Sequence, residues 1–153
     1  MVFIDTSGAG TSFKSIAYAT NHTLSIGTTS EDVATKDSGG GKWNESTVQK
    51  FAWSATTDNL YSLDGAGSMY DDLFTAMTNE TLVGIKFTLE STYENKPDSV
   101  PSAGWTPIST PPIYAGKARI TDLQLNAQDG SNASFTATFT GVGALSNDGT
   151  LPS

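Results

Sequence analysis

The reading of the fold turns on Gly116-Lys117-Ala118-Arg119-Ile120-Thr121-Asp122-Leu123-Gln124-Leu125-Asn126-Ala127-Gln128-Asp129-Gly130-Ser131-Asn132-Ala133-Ser134-Phe135-Thr136-Ala137-Thr138-Phe139-Thr140-Gly141. Ala133, Phe135, Ala137 and Phe139 alternate with Ser134, Thr136, Thr138 and Thr140, the period-two pattern of a half-buried strand. Threonine favours extended backbone while its hydroxyl stays hydrated, so the second face reads as a solvated one. Before the turn signal Asp129-Gly130, Ala118 and Ile120 share a phase that Leu123 and Leu125 have left. That switch predicts a bulge or bend near Thr121-Asp122. The stretch is therefore a β-hairpin with a tight Asp-Gly turn, almost free of catalytic side chains.

The same period recurs upstream. From Ser15 to Gly27, Ile16, Tyr18, His22, Leu24 and Ile26 fall on one face, which predicts one long strand or two interrupted near Asn21. Val48 to Thr56 alternates with Phe51, Trp53 and Ala55 on one side, and Val83, Ile85, Phe87 and Leu89 mark a further strand. Between Thr28 and residue 47 no apolar period survives, and Gly39-Gly40-Gly41 predicts a flexible loop. The prolines between Tyr93 and Pro112 forbid a central strand there. Residues 144–153 are polar and read as a loose tail.

One helix is expected, over about residues 68–78. Ser68 and Asp71 have capping spacing, Asp71 and Asp72 suit the positive end of the helix dipole, and Met69, Tyr70, Leu73, Phe74 and Met77 form an apolar stripe. The fold class is mainly β: a sandwich or barrel of two packed antiparallel sheets with a flanking helix, in a single domain over 1–153.

Composition narrows the function. The 153 residues include 15 Gly, 6 Pro and no Cys, with a formal net charge of −8. The charge opposes a phosphate-gripping surface, and the missing cysteines exclude disulfides, thiol nucleophiles and cysteine zinc sites. No signal peptide, membrane anchor, metal or cofactor is expected. His22 is the only histidine, so any Ser-His-Asp triad needs it, yet it sits on the apolar phase of a strand. Asp37 to Lys42 fails as a phosphate loop because Lys36 and Trp43 stand where a glycine and a Ser or Thr are required. The neighbouring carboxylates Glu31-Asp32 do not face each other on a strand, and Asp71-Asp72 is explained by helix capping. Trp43 and Trp105 are the interface candidates among the tryptophans, and Trp53 reads as core.

Specific strings go further. Asn21-His22-Thr23-Leu24-Ser25-Ile26, then Thr35-Lys36-Asp37-Ser38-Gly39-Gly40-Gly41-Lys42-Trp43, then Phe51-Ala52-Trp53-Ser54, and the block from Tyr114 to Leu145 occur in an order that resembles the major tail tube proteins of long-tailed bacteriophages. The resemblance covers roughly residues 15 to 145 and implies a structural virion protein of a siphovirus-type tail, not an enzyme. It implies a homo-oligomer: hexameric rings stacked into a tube whose inner strands form a continuous barrel, through which phage DNA passes without specific binding. Tape measure and tail terminator or tip proteins are the implied partners, with synthesis in the host bacterial cytoplasm. It also implies that the long loop reaches a neighbouring subunit. The inter-subunit residues are then Glu31, Asp32, Lys36, Asp37, Gly39, Gly40, Gly41, Lys42 and Trp43, and the hairpin residues offered to the lumen are Lys117, Arg119, Thr121, Asp122, Thr136 and Thr138. Six chains of charge −8 carry six times −8, or −48, per ring, a field that discourages DNA adhesion. Rival readings are a carbohydrate-binding β-sandwich or adhesion module, and a tube subunit of a contractile injection machine.

Overall fold

The computed structural model describes residues 1–16, 19–32, 46–61, 69–89, 112–127, 129 and 132–153. Among these, the strands are β1 (Val2–Asp5), β2 (Lys14–Ser15), β3 (Ala19–Asp32), β4 (Ser46–Leu60), β5 (Val83–Thr88), β6 (Ile113–Asn126) and β7 (Ser134–Ser146), with helix α1 (Met69–Thr78) between β4 and β5. All pair antiparallel in one sheet of order β2-β1-β5-β6-β7-β4-β3.

The architecture is mainly β with a helix, as expected, but the two sheets are two halves of one. The strand responsible is β6. Its first half, Ile113 to Ala118, pairs with β5, while β7 pairs along nearly its whole length. Alternation shows which side of a strand is buried but not how far a hydrogen-bonded ladder continues, so this join was not visible in the periodicity. Val2, Ile4, Val83 and Ile85 from one half share a single buried cluster with Trp53, Ala55, Phe135 and Phe139 from the other. Register shifts at Gly116/Lys117 and Ile120/Asp122 break the β6–β7 ladder, and such bulges bend a sheet. The second of them is the bend read from the phase switch near Thr121.

Two other expectations change. The segment 28–47 is not loop at its ends: Thr28 to Asp32 complete β3 and Ser46 and Thr47 begin β4, paired as Thr28↔Phe51 through Asp32↔Ser46. The arm they form is exposed on both faces, so no apolar period marks it. The last pair of the β6–β7 ladder among the described residues is Asn126↔Ser134, and Gly130 of the expected Asp-Gly turn lies outside them. The tail over 144–153 is anchored. Leu145 and Ser146 pair with Gly116 and Ala115, and the Asn147 carbonyl accepts from the Ile113 N–H. The Leu151 side chain lies so close to Gly10 and Gly84 that a Cβ there would meet it at 2.8 and 3.0 Å.

Helix α1 keeps its expected span and its acidic first turn. Ser68, the proposed cap, lies outside the described residues. Its buried stripe is Met69, Leu73 and Ala76, with Tyr70 set edge-on to Tyr61 and Phe135. Phe74, assigned to the stripe, is 54% exposed, and Met77 is also exposed. On a 100°-per-residue wheel Ala76 is nearer the Met69–Leu73 direction than Phe74 is, and a small residue there lets the helix approach the sheet.

Candidate functional site

Directly paired residues of neighbouring strands share a face, so the ladders assign each side chain to one side of the sheet. Across β6, β7, β4 and β3, one row runs Gln124, Thr136, Asp58, Asn21 and the next Asp122, Thr138, Thr56, Thr23. A third runs Arg119, Thr140, Ser54, Ser25. These rows make a continuous, hydroxyl-rich face four strands wide. The opposite side carries Ile120, Phe139, Ala55 and Leu24, which belong to or pack against the core.

Hydrogen bonds tie the polar face together. The Thr136 hydroxyl donates to Asp58 Oδ1 at 2.9 Å, and Asn21 Nδ2 donates to Asp58 Oδ2 at 3.4 Å, so one carboxylate links β7, β4 and β3. At the bulge, the Thr121 hydroxyl donates to the Thr138 carbonyl at 3.3 Å and lies 3.1 Å from the Thr140 hydroxyl. Gln124 Nε2 donates to Asp122 Oδ2 at 2.7 Å, and Arg119 donates to the Glu80 carbonyl at 3.0 Å. The face thus presents short side chains already engaged with each other, and it mixes both signs of charge.

The hairpin residues named from sequence fall together here. Arg119, Asp122, Thr136 and Thr138 lie in the rows, Thr121 is the bulge residue beside them, and Lys117 pairs with Val142 beyond Arg119. The carboxylates in these rows are Asp58 and Asp122, of which Asp122 was named from sequence. The β4 and β3 contributions, Ser54, Thr56, Asp58, Asn21, Thr23 and Ser25, were not among the residues offered to the lumen, although Asn21, Thr23, Ser25 and Ser54 read on the side opposite the apolar residues. Their signal was present: the alternation of β4 continues past Thr56, but its buried positions there are Thr57 and Asn59, polar residues that hide the period. Of the proposed inter-subunit set, Glu31 is exposed on β3 and accepts from Gln49 Nε2 at 3.1 Å, and Asp32 is the last residue of β3. Lys36, Asp37, Gly39, Gly40, Gly41, Lys42 and Trp43 lie outside the described residues, as does Trp105.

Two strand edges bound the face. The sheet order ends at β3, and β6 beyond Ala118 has β7 on one side and no ladder on the other among the described residues. On the apolar side of the β3–β4 arm, Ile26 is 57% and Phe51 76% exposed. They border a groove of about 500 Å³ lined also by Trp53, Tyr114 and Leu145.

The buried polar groups serve the fold. His22, opposite Thr57, has no hydrogen-bond partner on either ring nitrogen, and Asn59 Nδ2 donates to Thr57 Oγ1 at 3.0 Å. Burial lowers the His22 pKa to about 4; the Met1 ammonium adds to this and the Asp58 carboxylate opposes it. Among the described residues no cluster of His, Asp and Glu could hold a metal, and no helix is long and apolar enough to cross a membrane.

An antiparallel sheet with one polar, hydrogen-bonded face and two edges unpaired among the described residues has the form of a structural building block. The comparisons with known proteins name its class. The family model of the phage tail tube protein matches residues 1–147, and the chain belongs to that family. Its role is that of a structural tube subunit, not an enzyme. No curated protein sequence is significantly similar. The fold is shared with the tail of an empty gene transfer agent particle refined with C6 symmetry, at TM-score 0.69 and 18% identity, over 96% of this chain and 93% of that one. It is shared with the native gene transfer agent virion at TM-score 0.65 and 18% identity, over 95% and 93%. The SPP1 tail tube matches at TM-score 0.64 and 11% identity, over 99% of this chain and 77% of that one.

Proposed function

We propose that this chain is the major subunit of a non-contractile, siphovirus-type tail tube: six copies close into a ring, rings stack, and DNA passes through the bore. One observation carries the reading: the polar face spans four strands and ends at two open edges. Strand direction alternates across β6, β7, β4 and β3, so β6 and β3 run oppositely. Rotation about an axis along the strands therefore brings β6 of the next copy antiparallel to β3. With the sixfold symmetry of the gene transfer agent tail, four strands from each copy make a 24-stranded barrel. Barrels of ~16–18 strands already enclose an aqueous channel. Closure removes both edges, which in a lone subunit would be sites of uncontrolled pairing.

The polar face then looks inward, with Lys117, Arg119, Thr121, Asp122, Thr136 and Thr138 on the bore. Threonine hydroxyls offer DNA no aromatic stacking, and the carboxylates Asp58 and Asp122, set among Lys117 and Arg119, leave phosphates no continuous basic track. The segment from Thr28 to Trp43, with Trp43 and Lys36 as anchors, reaches a neighbouring subunit in this reading. Tape measure and terminator or tip proteins are the further partners, and assembly takes place in the host bacterial cytoplasm. Trp43 and Trp105, on which the sugar-binding rival rests, lie outside the described residues, and Trp53 is a core side chain.

Cysteine accessibility tests the inward face, because the chain has no cysteine of its own. In assembled tubes Thr138→Cys should react with a small maleimide and resist one carried on a long polyethylene glycol, whereas Thr75→Cys on the helix should react with both. Equal reaction of Thr138→Cys with the bulky reagent in intact tubes would remove this face from the bore. Deleting residues 37–42 should block polymerisation while leaving the β circular-dichroism signal unchanged.

A further inference from the structure

The apolar side of the open edges carries side chains that the core covers only in part or leaves exposed. Ile26 and Phe51 project from the β3–β4 arm, and on the same side of β6 Leu123 is half-buried and Leu125 is 49% exposed. The first pair belongs to the edge that ends the sheet, and the second lies on the other open edge.

We propose that these two patches are the halves of one seam: Ile26 and Phe51 of one copy cover Leu123 and Leu125 of the next. The inference rests on the ring reading above and adds to it the side chains that hold adjacent copies together. Two features favour a second copy as the occupant. When β3 meets the neighbour's β6 edge to edge, the apolar side of one sheet continues into the apolar side of the other. Side chains alternate every residue, so like faces meet only if the stagger between copies is an even number of residues. Within one copy Ile26 pairs with Trp53, whose ring lies over Gly141, the partner of Ala118. Closing a tilted barrel shifts the register by a fixed shear. The open half of β6 begins only after Ala118, so the shift carries Ile26 along the neighbour's β6 towards Leu123 and Leu125. Phe51, one strand behind Ile26, then closes over the same seam.

The second feature is charge. Copies of a chain with formal charge −8 repel at long range, so their attraction has to arise at contact, where burial of apolar surface is independent of charge. A cyclic ring also requires two different patches that complement each other, one at each end of the subunit, and these two meet that requirement.

Disulfide trapping tests the seam. Residues directly opposite on adjacent strands bring Cβ atoms to about 4.5–5.5 Å, close to disulfide geometry. The double variants Ile26→Cys/Leu125→Cys and Ile26→Cys/Leu123→Cys would be assembled, oxidised and run on non-reducing gels beside the single variants. At least one should give a ladder of covalent oligomers that stops at the hexamer, while single variants stop at the dimer. Phe51→Ser should keep the monomer's β signal and raise the concentration needed for polymerisation about tenfold or more. Rings visible by electron microscopy with both double variants remaining monomeric after oxidation would overturn the seam and leave the ring reading standing. A ladder that runs past six would place the contact between rings and overturn it too. Failure of the unmodified chain to form rings at all would defeat both.

Discussion

The indole of Trp53 occupies the space that a Cβ on Gly141 would need: that atom would lie 2.2 Å from Cε2. Gly116 is in the same position, with its Cβ meeting Cζ2 at 2.4 Å, and Trp53 Nε1 donates to the Gly143 carbonyl at 3.2 Å. Two glycines on neighbouring strands thus form the bed of a buried tryptophan and join β4 to the middle of the sheet. Gly141→Ala should therefore destabilise the chain by about 1–3 kcal/mol, the usual cost of overpacking. Trp53→Leu in the same chain should recover part of the loss. Urea unfolding monitored by circular dichroism measures both, and an unchanged midpoint for Gly141→Ala would contradict the close contact.

The chain's last residues are predicted to stabilise the sheet. Leu151 packs over Gly10 and Gly84, linking the C-terminus to the β1–β2 connection and to β5. Leu151→Ala should cost about 1–2 kcal/mol, below the ~2–5 kcal/mol of a fully buried leucine because the side chain is half-buried. Differential scanning calorimetry should show a lower melting temperature, and a wild-type melting temperature would return the tail to the loose state read from its composition.

His22 makes stability fall in mild acid. Its folded-state pKa, about 4, lies below the ordinary value of 6.5 because burial disfavours the cation. Between those values the unfolded chain binds the proton and the folded chain does not, so stability decreases as pH falls from about 6.5 towards 4. His22→Leu should flatten the unfolding midpoint across that window. A wild-type midpoint constant from pH 7 to 4.5 would contradict the burial of the ring.

Asp5 acts at lower pH. Its buried carboxylate accepts from the Ser7 N–H and hydroxyl and from the Thr11 and Ser12 N–H groups. Burial alone would raise its pKa, but these donors together bring it below 3.8. The stabilisation is thus complete above about 3.8 and is lost as pH falls through the lowered folded value. Asp5→Ala leaves backbone donors without their acceptor and should cost about 1–3 kcal/mol at pH 7, measured by urea unfolding.

How much could be read in advance differs from element to element. The β7 face was legible because Phe135, Ala137 and Phe139 are all buried, and the β6 bulge because an extra residue shifts the apolar phase. Helix α1 was legible from its acidic first turn and its stripe, except that Phe74 and Met77 are exposed. The β3–β4 arm was legible only up to Gly27, because residues exposed on both faces carry no period. The polar face was half legible: the Thr side of β7 stood out, while its continuation through Thr56 and Asp58 was masked by Thr57 and Asn59 in the buried phase. Phe51 was assigned to the correct face, but its exposure could not be read, since alternation places an apolar side chain on a face without showing whether that face is covered there.

Helical reconstruction by cryo-electron microscopy of the polymerised chain tests the central claim most directly. The expected map shows sixfold rings with Thr56, Thr136 and Thr138 facing the bore and β3 of each copy beside β6 of the next. A polymer whose bore is lined by helix α1, or by the side that carries Ile26 and Phe51, would contradict it, as would a chain that stays monomeric at every concentration.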